Sequence, residues 1–299
     1  MQKQRFSKGL RETVRRVGFL SARYGLSPDR IGKRIERMIA LMARWDTRPT
    51  IPVAGSVVDR HPSVISRLRG ADLAIHGYHH RSYAGMTIEE QAADLDGAIT
   101  AFARHGLVCA GFRAPYLATS SATFRLLRSR RFMYDSSIPE FYLGEGDPIF
   151  HRAKALTAKR YGPTLFRQAP TRQGSTLTEL PVALPDDEIL VDGLGLHAPS
   201  ALGRILDAMV ARARASEGHL ILQVHPERFD IVSDALHSVL QKAADEGAWM
   251  PTLNDAAEWM MDARRGPGCW PRGGPYAVSV TGDLDALSLG DFAGRMRVA

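Results

Sequence analysis

Four short, largely apolar runs in this chain each lead into side chains that carry chemistry. They are residues 73–75, 107–110, 220–224 and 276–280. Runs of this kind are typical of strands buried on both faces, as in parallel sheets. Histidine, arginine or aspartate follows each run within a few residues. Because the chemistry of an α/β barrel collects at the carboxyl ends of its parallel strands, the pattern predicts such a barrel.

The first of these strand ends carries three histidines, His76, His79 and His80. Neutral imidazoles are good ligands for borderline metals such as zinc. A helical turn after the strand would place His76 and His80 on one face, because they are four residues apart. The alternative is one buried, hydrogen-bonded histidine and two at the surface. Three histidines directly after a buried strand favour a metal site.

The second and third strand ends supply Arg113 and His225. Arg113 begins the sequence Arg-Ala-Pro-Tyr, in which proline restrains the preceding backbone to an extended conformation. We expect a fixed guanidinium suited to a carboxylate partner, although a surface turn would also fit this tetrapeptide.

The last strand end carries two carboxylates, Asp283 and Asp285. A D-x-D motif alone is more often a solvated turn than a site. Its spacing, however, places both carboxylates on the same side of an extended strand. The reactive residues at the other strand ends favour a shared site, despite the long separation in sequence.

Together these motifs resemble those of the polysaccharide deacetylases of the NodB homology type, carbohydrate esterase family 4. The matching residues are His76 and His80 as H-x-x-x-H, residues 113–116 as R-x-P-Y, and His225 as the late strand-end histidine. The family's first motif, a T-F-D-D-like strand end, is missing from the N-terminal region and is matched by residues 281–285. The resemblance, over roughly residues 27 to 291, implies an irregular (β/α) barrel of about seven parallel strands. We interpret the chain as a circular permutation of that barrel, cut after its first strand.

The resemblance also implies a divalent metal ion, with zinc as the expected metal. The implied ligands are His76, His80 and Asp285, which leave open positions for water and the substrate carbonyl. Asp283 would be the general base and would pair with Arg113. In the family the two aspartates are adjacent, whereas Leu284 separates them here, so the division of roles between them stays open.

Three further roles follow from the resemblance. His225 would protonate the leaving amine or alcohol, and the backbone N–H of Tyr116 would help to stabilise the oxyanion. Asp135 would orient His225, although the tryptophan that normally continues its motif is missing. Gln223 stands where the family usually has leucine in the pocket for the acetyl methyl group, so the acyl group removed could differ from acetyl.

Residues 27–299 are predicted to form this single barrel domain, since a chain of 299 residues that is 44% hydrophobic can bury one large core. Ser27 as N-cap and Pro28 at the first helical position predict a helix, and residues 50–55 resemble the family's second strand. Further helices are predicted after a capping box at Thr87 and Glu90 and near residues 121–130, 200–215 and 231–246.

Residues 139–174 are predicted to be irregular, either a functional lid or a flexible insertion. Their basic side chains form either a solvated surface or a surface for an anionic glycan or lipid phosphate. The residues concerned are Arg152, Lys154, Lys159, Arg160 and Arg167. For Asp186 and Asp187, which follow this stretch, we expect no role beyond substrate contact.

Residues 1–26 are predicted to form a basic amphipathic extension. Residues 1–24 hold seven Lys or Arg against one Glu, in a chain whose net charge is +7. Such a helix would either lie on an anionic membrane surface or pack on the barrel. The chain shows no signal-peptide core, no membrane-spanning stretch and no disulfide framework, so we expect a cytoplasmic protein with peripheral membrane contact. It shows no nucleic-acid motif, so no specific nucleic-acid partner is expected.

The leading functional hypothesis is a metal-dependent hydrolase that removes an acyl group, most simply acetyl, from an amino sugar or glycan intermediate. Its partner would be a carbohydrate or lipid-linked sugar. A second hypothesis is hydrolysis of a non-peptide C–N bond in a small cyclic amide or ureide. A third is a catalytically silent barrel that binds a glycan, which the intact candidate residues for metal, base and acid argue against.

Overall fold

The computed structural model describes residues 18, 20–162, 171–173, 177–262 and 270–295. Ten strands form one sheet in the order β5-β8-β9-β10-β1-β2-β3-β4-β7-β6, and every neighbouring pair is parallel except β6–β7. The strands are β1 (Thr50–Val53), β2 (Asp72–Ile75), β3 (Gly111–Phe112), β4 (Tyr134–Asp135), β5 (Pro139–Phe141), β6 (Thr171–Gln173), β7 (Leu177–Glu179), β8 (Val182–Leu184), β9 (His219–Gln223) and β10 (Ala277–Thr281). The predicted parallel α/β architecture is confirmed.

One bent segment closes this sheet into a barrel. Only Leu180 and Pro181 separate β7 from β8, and β7 pairs with β4 while β8 pairs with β9. Counted as one strand, this segment completes a ring with β9, β10, β1, β2, β3 and β4. The ring therefore has the predicted number of strands, and β10 lies between β9 and β1.

Helices cover the outside of the barrel. They are α1 (Asp29–Met42), α2 (Gly55–Arg60), α3 (Val64–Arg67), α4 (Ile88–Arg104), α5 (Ser121–Ser129), α6 (Phe150–Tyr161), α7 (Pro199–Ala215), α8 (Phe229–Asp245), α9 (Leu253–Met261) and α10 (Leu289–Arg295). Most of the core lies between this layer and the strands, where α7 packs on α8 and α1 packs on both α3 and α8.

Two helix starts can be compared with their predicted caps. The capping box before α4 is present: Glu90 N donates to Thr87 Oγ1 at 3.2 Å, and Thr87 N donates to Glu90 Oε2 at 2.8 Å. The predicted Ser27 cap of α1 is wrong, because Pro28 occupies the cap position and makes no side-chain cap bond. The helix still forms, because Ile31, Ile35 and Met38 are buried along one face.

The prediction of an irregular stretch over residues 139–174 is wrong for its first half. This part of the chain contains β5 and the 12-residue helix α6. Residues 163–170, which include Arg167, and residues 174–176 lie outside the described residues. The basic side chains of α6 face mostly outward, while Phe150, Ala153 and Thr157 are buried.

Most of the predicted amphipathic extension, residues 1–17 and residue 19, also lies outside the described residues. Its described end contacts the barrel. Arg23 pairs with Asp192 at 2.5 Å, and the buried ring of Tyr24 packs on Phe292 with ring centroids 5.0 Å apart. Across the residues that the structure describes, no helix is both long and apolar enough to cross a membrane.

Candidate metal and catalytic site

The carboxyl ends of β2, β3, β9 and β10 open onto one cavity of about 400 Å³. Loops after these strands position the side chains that the sequence singled out. The cavity is lined by His76, His80, Tyr116, His225, Asp283 and Asp285, together with Gln223, Arg160 and Arg295. Residues that are widely separated in the sequence thus meet because β10 lies between β1 and β9.

Two histidine–carboxylate contacts form the floor of this cavity. His80 Nε2 lies 3.1 Å from Asp285 Oδ2, and His76 Nε2 lies 3.7 Å from Asp283 Oδ2. The two imidazole rings are 5.0 Å apart. The expected helical turn is wrong, because Gly77 and His80 adopt positive φ values of 65° and 56° in a non-helical loop. This turn brings the rings together without a helix.

The hydrogen bonds and burial of these imidazoles fit a bound cation. His76 Nδ1 lies 2.8 Å from the Arg113 carbonyl oxygen, so Nδ1 carries the proton and the Nε2 lone pair points toward the carboxylates. Burial lowers the pKa of His76, and burial together with the neighbouring His76 lowers the pKa of His80 well below its usual value. Neutral imidazoles facing carboxylates are the donor set that a divalent metal prefers.

Arg295, at the end of α10, forms an ion pair with Asp285 in the same cavity. Its Nε is buried and has no hydrogen-bond partner in the part of the chain that the structure describes. The guanidinium therefore supplies positive charge to one of the three candidate metal ligands. The sequence analysis missed this residue, because no motif marks it.

Asp283 is held by donors on both oxygens. Arg113 NH1 donates to Oδ1 and Gln223 Nε2 donates to Oδ2, each at 2.9 Å. Burial alone would raise the pKa of Asp283, but the charge and hydrogen bond of Arg113, together with His76 and His225, outweigh burial and the pKa is lowered. Arg113 is fully buried, and Thr281 and Ser136 fix its remaining donors. The expected Arg113–Asp283 pair is present as an ion pair.

Asp187, and not Asp135, orients His225. Asp187 Oδ1 lies 2.6 Å from His225 Nδ1, and its Oδ2 accepts from the His225 backbone N–H at 2.8 Å. The assignment of Asp135 to this role is wrong, because its carboxyl group interacts with Ser137 and Glu179 instead. Asp187 follows β8, so the rule that site residues follow strand ends was also the signal that could have identified it.

Two neighbours favour different protonation states of the His225 ring. Burial disfavours its charge, but the Asp187 carboxylate dominates and raises the pKa of His225 to about 10. Gln223 Nε2 lies 3.1 Å from His225 Nε2, a contact that suits only a neutral ring. The Asp187 interaction is charge-assisted and the Gln223 contact is not, so we expect a protonated ring, while Gln223 keeps its hydrogen bond to Asp283.

A second group of possible ligands consists of Asp186, Asp187 and His225, whose ligand atoms lie within 4.8 Å of one another. Every carboxylate oxygen in this group already accepts a hydrogen bond. Ile189 N and the Tyr161 hydroxyl donate to Asp186, and His225 donates twice to Asp187. His76, His80 and Asp285 therefore fit a metal ion better.

Tyr116 lies above this site in a strained turn. Its φ of 60° is in the left-handed region. The Tyr116 ring lies edge-on to the His80 ring, with ring centroids 4.6 Å apart. The guanidinium of Arg160, a residue of α6, lies 6.0 Å from the centroid of the Tyr116 ring. The turn therefore holds Tyr116 at the entrance of the cavity.

A family model described as polysaccharide deacetylase matches residues 27–134. The match includes His76, His80 and the tetrapeptide beginning at Arg113. This part of the chain is therefore similar to the polysaccharide deacetylase family. A peptidoglycan deacetylase-like protein of Gibberella zeae is 29% identical over 118 residues, which is 38% of this chain and 34% of that protein. The chain thus matches about a third of the length of this curated relative.

Solved structures share the fold of this chain. A Mycobacterium smegmatis protein named as a polysaccharide deacetylase superposes with a TM-score of 0.61 and 22% identity, over 80% of each chain. A Pseudomonas aeruginosa protein named in the same way superposes with a TM-score of 0.58 and 19% identity, over 78% of this chain and 74% of that chain. The Puue allantoinase superposes with a TM-score of 0.57 and 19% identity, again over 78% of this chain and 74% of that chain.

Proposed function

We propose that this protein is a metal-dependent hydrolase of the polysaccharide deacetylase type that removes an acyl group, most simply acetyl, from an amino sugar within a carbohydrate. The observation that carries the proposal is the meeting of two neutral imidazoles with Asp283 and Asp285 beside a buried arginine. Among the described residues this arrangement unites a cation site, a base and an acid in one cavity.

His76, His80 and Asp285 would hold the metal ion, and we propose zinc, because imidazole nitrogen and carboxylate oxygen suit it. When bound, the ion would polarise the acyl carbonyl and lower the pKa of the attacking water. Buried neutral imidazoles need no deprotonation before they bind a metal.

Asp283 would take the proton from the attacking water. Arg113 and Gln223 hold it ionised and in one position, which prepares it to accept a proton at neutral pH. His225 would then donate the proton from its Nε2 to the leaving amine, while Asp187 holds the opposite ring nitrogen. The backbone N–H of Tyr116 would donate to the oxyanion.

We also propose that the barrel is circularly permuted. β10 carries the D-x-D motif from the end of the chain into the position beside β1, and the family match begins only at residue 27, just before α1. A family barrel cut after its first strand would have this order. Permutation costs little where chain ends lie near each other at a surface.

A second candidate is hydrolysis of a C–N bond in a small cyclic amide or ureide. The likeness in fold to an allantoinase and the polar Gln223 beside Asp283 favour it. A polar amide next to the base would suit an acyl group that carries its own hydrogen-bonding groups.

Metal-reconstituted protein can distinguish the two candidates. We expect acetate release from N-acetylglucosamine oligomers, loss of this activity after chelation, and none above background from allantoin or hydantoin. Asp283→Asn is the inactive control, and Asp234→Asn, on the outer face of α8, is the matched active control. Ring opening without acetate release would favour the second candidate, and inactivity on both with stoichiometric metal would contradict both.

A further inference from the structure

Two carboxyl groups below the site lie side by side in the barrel wall. Asp135 ends β4, Glu179 ends β7, and the two residues are direct partners in the strand register. Both side chains are fully buried. One oxygen of each, Asp135 Oδ2 and Glu179 Oε2, finds no hydrogen-bond donor among the described residues. Two ionised carboxylates could not both remain in contact in such a place.

The remaining oxygens differ in what they accept. Ser137 Oγ donates to Asp135 Oδ1 at 2.6 Å, whereas Glu179 Oε1 accepts from the backbone N–H of Ile138 at the longer distance of 3.1 Å. The positive charge of Arg113 also acts on Asp135. The negative charge is therefore better stabilised on Asp135, and a proton is better placed on Glu179.

We propose that Asp135 and Glu179 share one proton and act as a positioning pair for the catalytic turn at residues 113–116. A single proton between the two unpartnered oxygens satisfies both and leaves one negative charge. The positive charge of Arg113, which is also the partner of Asp283, acts on that charge, and the buried Tyr134 is a further ionisable group that interacts with Asp135. Burial raises the pKa of both carboxyl groups, most strongly that of Glu179.

The pair reaches the site through two serines. Ser137 Oγ donates to Asp135 and accepts from the Ala114 backbone N–H at 2.8 Å. Arg113 Nε donates a hydrogen bond to the carbonyl oxygen of Ser136, and Arg113 NH2 donates one to the Ser136 hydroxyl, each at 2.9 Å. The shared proton thus fixes the segment that aims Arg113 at Asp283 and leads into Tyr116. This catalytic consequence rests on the proposed function, but the shared proton does not.

Infrared difference spectroscopy of the whole protein tests the shared proton. At pH 8 we expect the carbonyl stretch of one protonated, buried carboxylic acid, which Glu179→Gln removes. Glu258→Gln, at an exposed glutamate on α9, should leave the band unchanged. A wild-type protein without this band would overturn the proposal, whether or not the protein is a deacetylase.

Kinetics with the N-acetyl substrate test the positioning role. The side-chain amide introduced by Glu179→Gln can donate to Asp135 as the acid does, so this variant should keep kcat within about threefold, whereas Glu179→Ala should lower kcat roughly 10- to 100-fold with KM little changed. Equal losses in the two variants, at wild-type circular dichroism, would contradict the positioning role. If Glu179→Ala does not fold, the recovery of kcat in Glu179→Gln still decides it.

Discussion

The Asp283 carboxylate accepts hydrogen bonds from side chains that follow or end two other strands. Arg113 comes from the end of β3 and Gln223 from the end of β9. The buried guanidinium in turn depends on Asp283 for its counter-charge. A change at either partner therefore affects stability as well as chemistry, because an unpaired buried charge is costly.

Asp283→Asn should lower kcat roughly 10²- to 10⁴-fold, because the base is lost, and should destabilise the fold by about 3 kcal/mol, because Arg113 loses its charged partner. The pKa of Asp283 is lowered in the folded protein, so its stabilisation is present above the ordinary aspartate range and lost as pH falls through the folded pKa. The variant should therefore lose less stability than wild type between about pH 5 and pH 2. Urea unfolding at several pH values measures this, and parallel acid profiles would contradict it.

Asp187→Asn should reduce kcat roughly 10²-fold or more and shift the alkaline limb of the pH–rate profile to lower pH, because burial then dominates and His225 loses its proton more easily. In wild type the pKa of His225 is raised to about 10, so its stabilisation is complete below the unfolded histidine pKa and is lost as pH rises through about 10. Asp135→Asn provides the comparison. If its pH–rate profile showed an equal shift of the alkaline limb, the assignment of Asp187 would be contradicted.

At the scale of elements, the strand ends were predictable and the curvature of the sheet was not. The apolar runs at residues 73–75, 220–224 and 276–280 lie largely in strands, and the residue type after each run indicated chemistry. The strand expected at residues 107–110 is wrong, because this run precedes β3 and Val108 is 94% exposed. Asp135 and Asp187 both follow strands, however, and only the bend between β7 and β8 decides which of them reaches His225. Such closure depends on packing around the whole ring, which no local pattern encodes.

Helix α6 was missed for a different reason. It buries only a narrow stripe of three residues, Phe150, Ala153 and Thr157, while basic residues occupy much of its remaining surface. Its amphipathic pattern is therefore weak, and the surrounding charges suggested a loop. The helix nevertheless carries Arg160 to the cavity entrance beside Tyr116.

The short helix α10 leads to a prediction about metal affinity. Arg295 pairs with Asp285, and a divalent ion would compete with the guanidinium for this carboxylate. Arg295→Ala should therefore bind zinc about tenfold more tightly, a change in the range found for residues around metal ligands. Chelator competition measures the affinity, with Arg125→Ala on the exposed face of α5 as control. Weaker zinc binding in Arg295→Ala would mean that Arg295 supports Asp285 as a ligand.

At the scale of the whole molecule, the charge of residues 1–24 predicts binding to anionic membranes, where lipid-linked sugars would be substrates. Each Lys or Arg near such a surface contributes about 1 kcal/mol. A variant with glutamine at Lys3, Arg5, Lys8, Arg11, Arg15 and Arg16 spares Arg23, which pairs with Asp192. In liposome flotation at low salt we expect wild type to float with anionic vesicles and the variant to stay in solution.

Salt provides the control for this experiment. The screening length falls from about 10 Å at 0.1 M to about 3 Å at 1 M, so wild type should leave the vesicles at high salt. Equal recovery of both proteins from the soluble fraction at low salt would instead make the extension an ordinary element packed on the barrel.

The position of β10 also affects how the protein is made on the ribosome. Of the described strands it is synthesised last, yet it fills the gap between β9 and β1. Until it emerges, the nascent chain carries two unpaired parallel edges, and such edges invite pairing with other chains. Production of this protein should therefore depend on protection of the incomplete barrel until β10 has emerged from the ribosome.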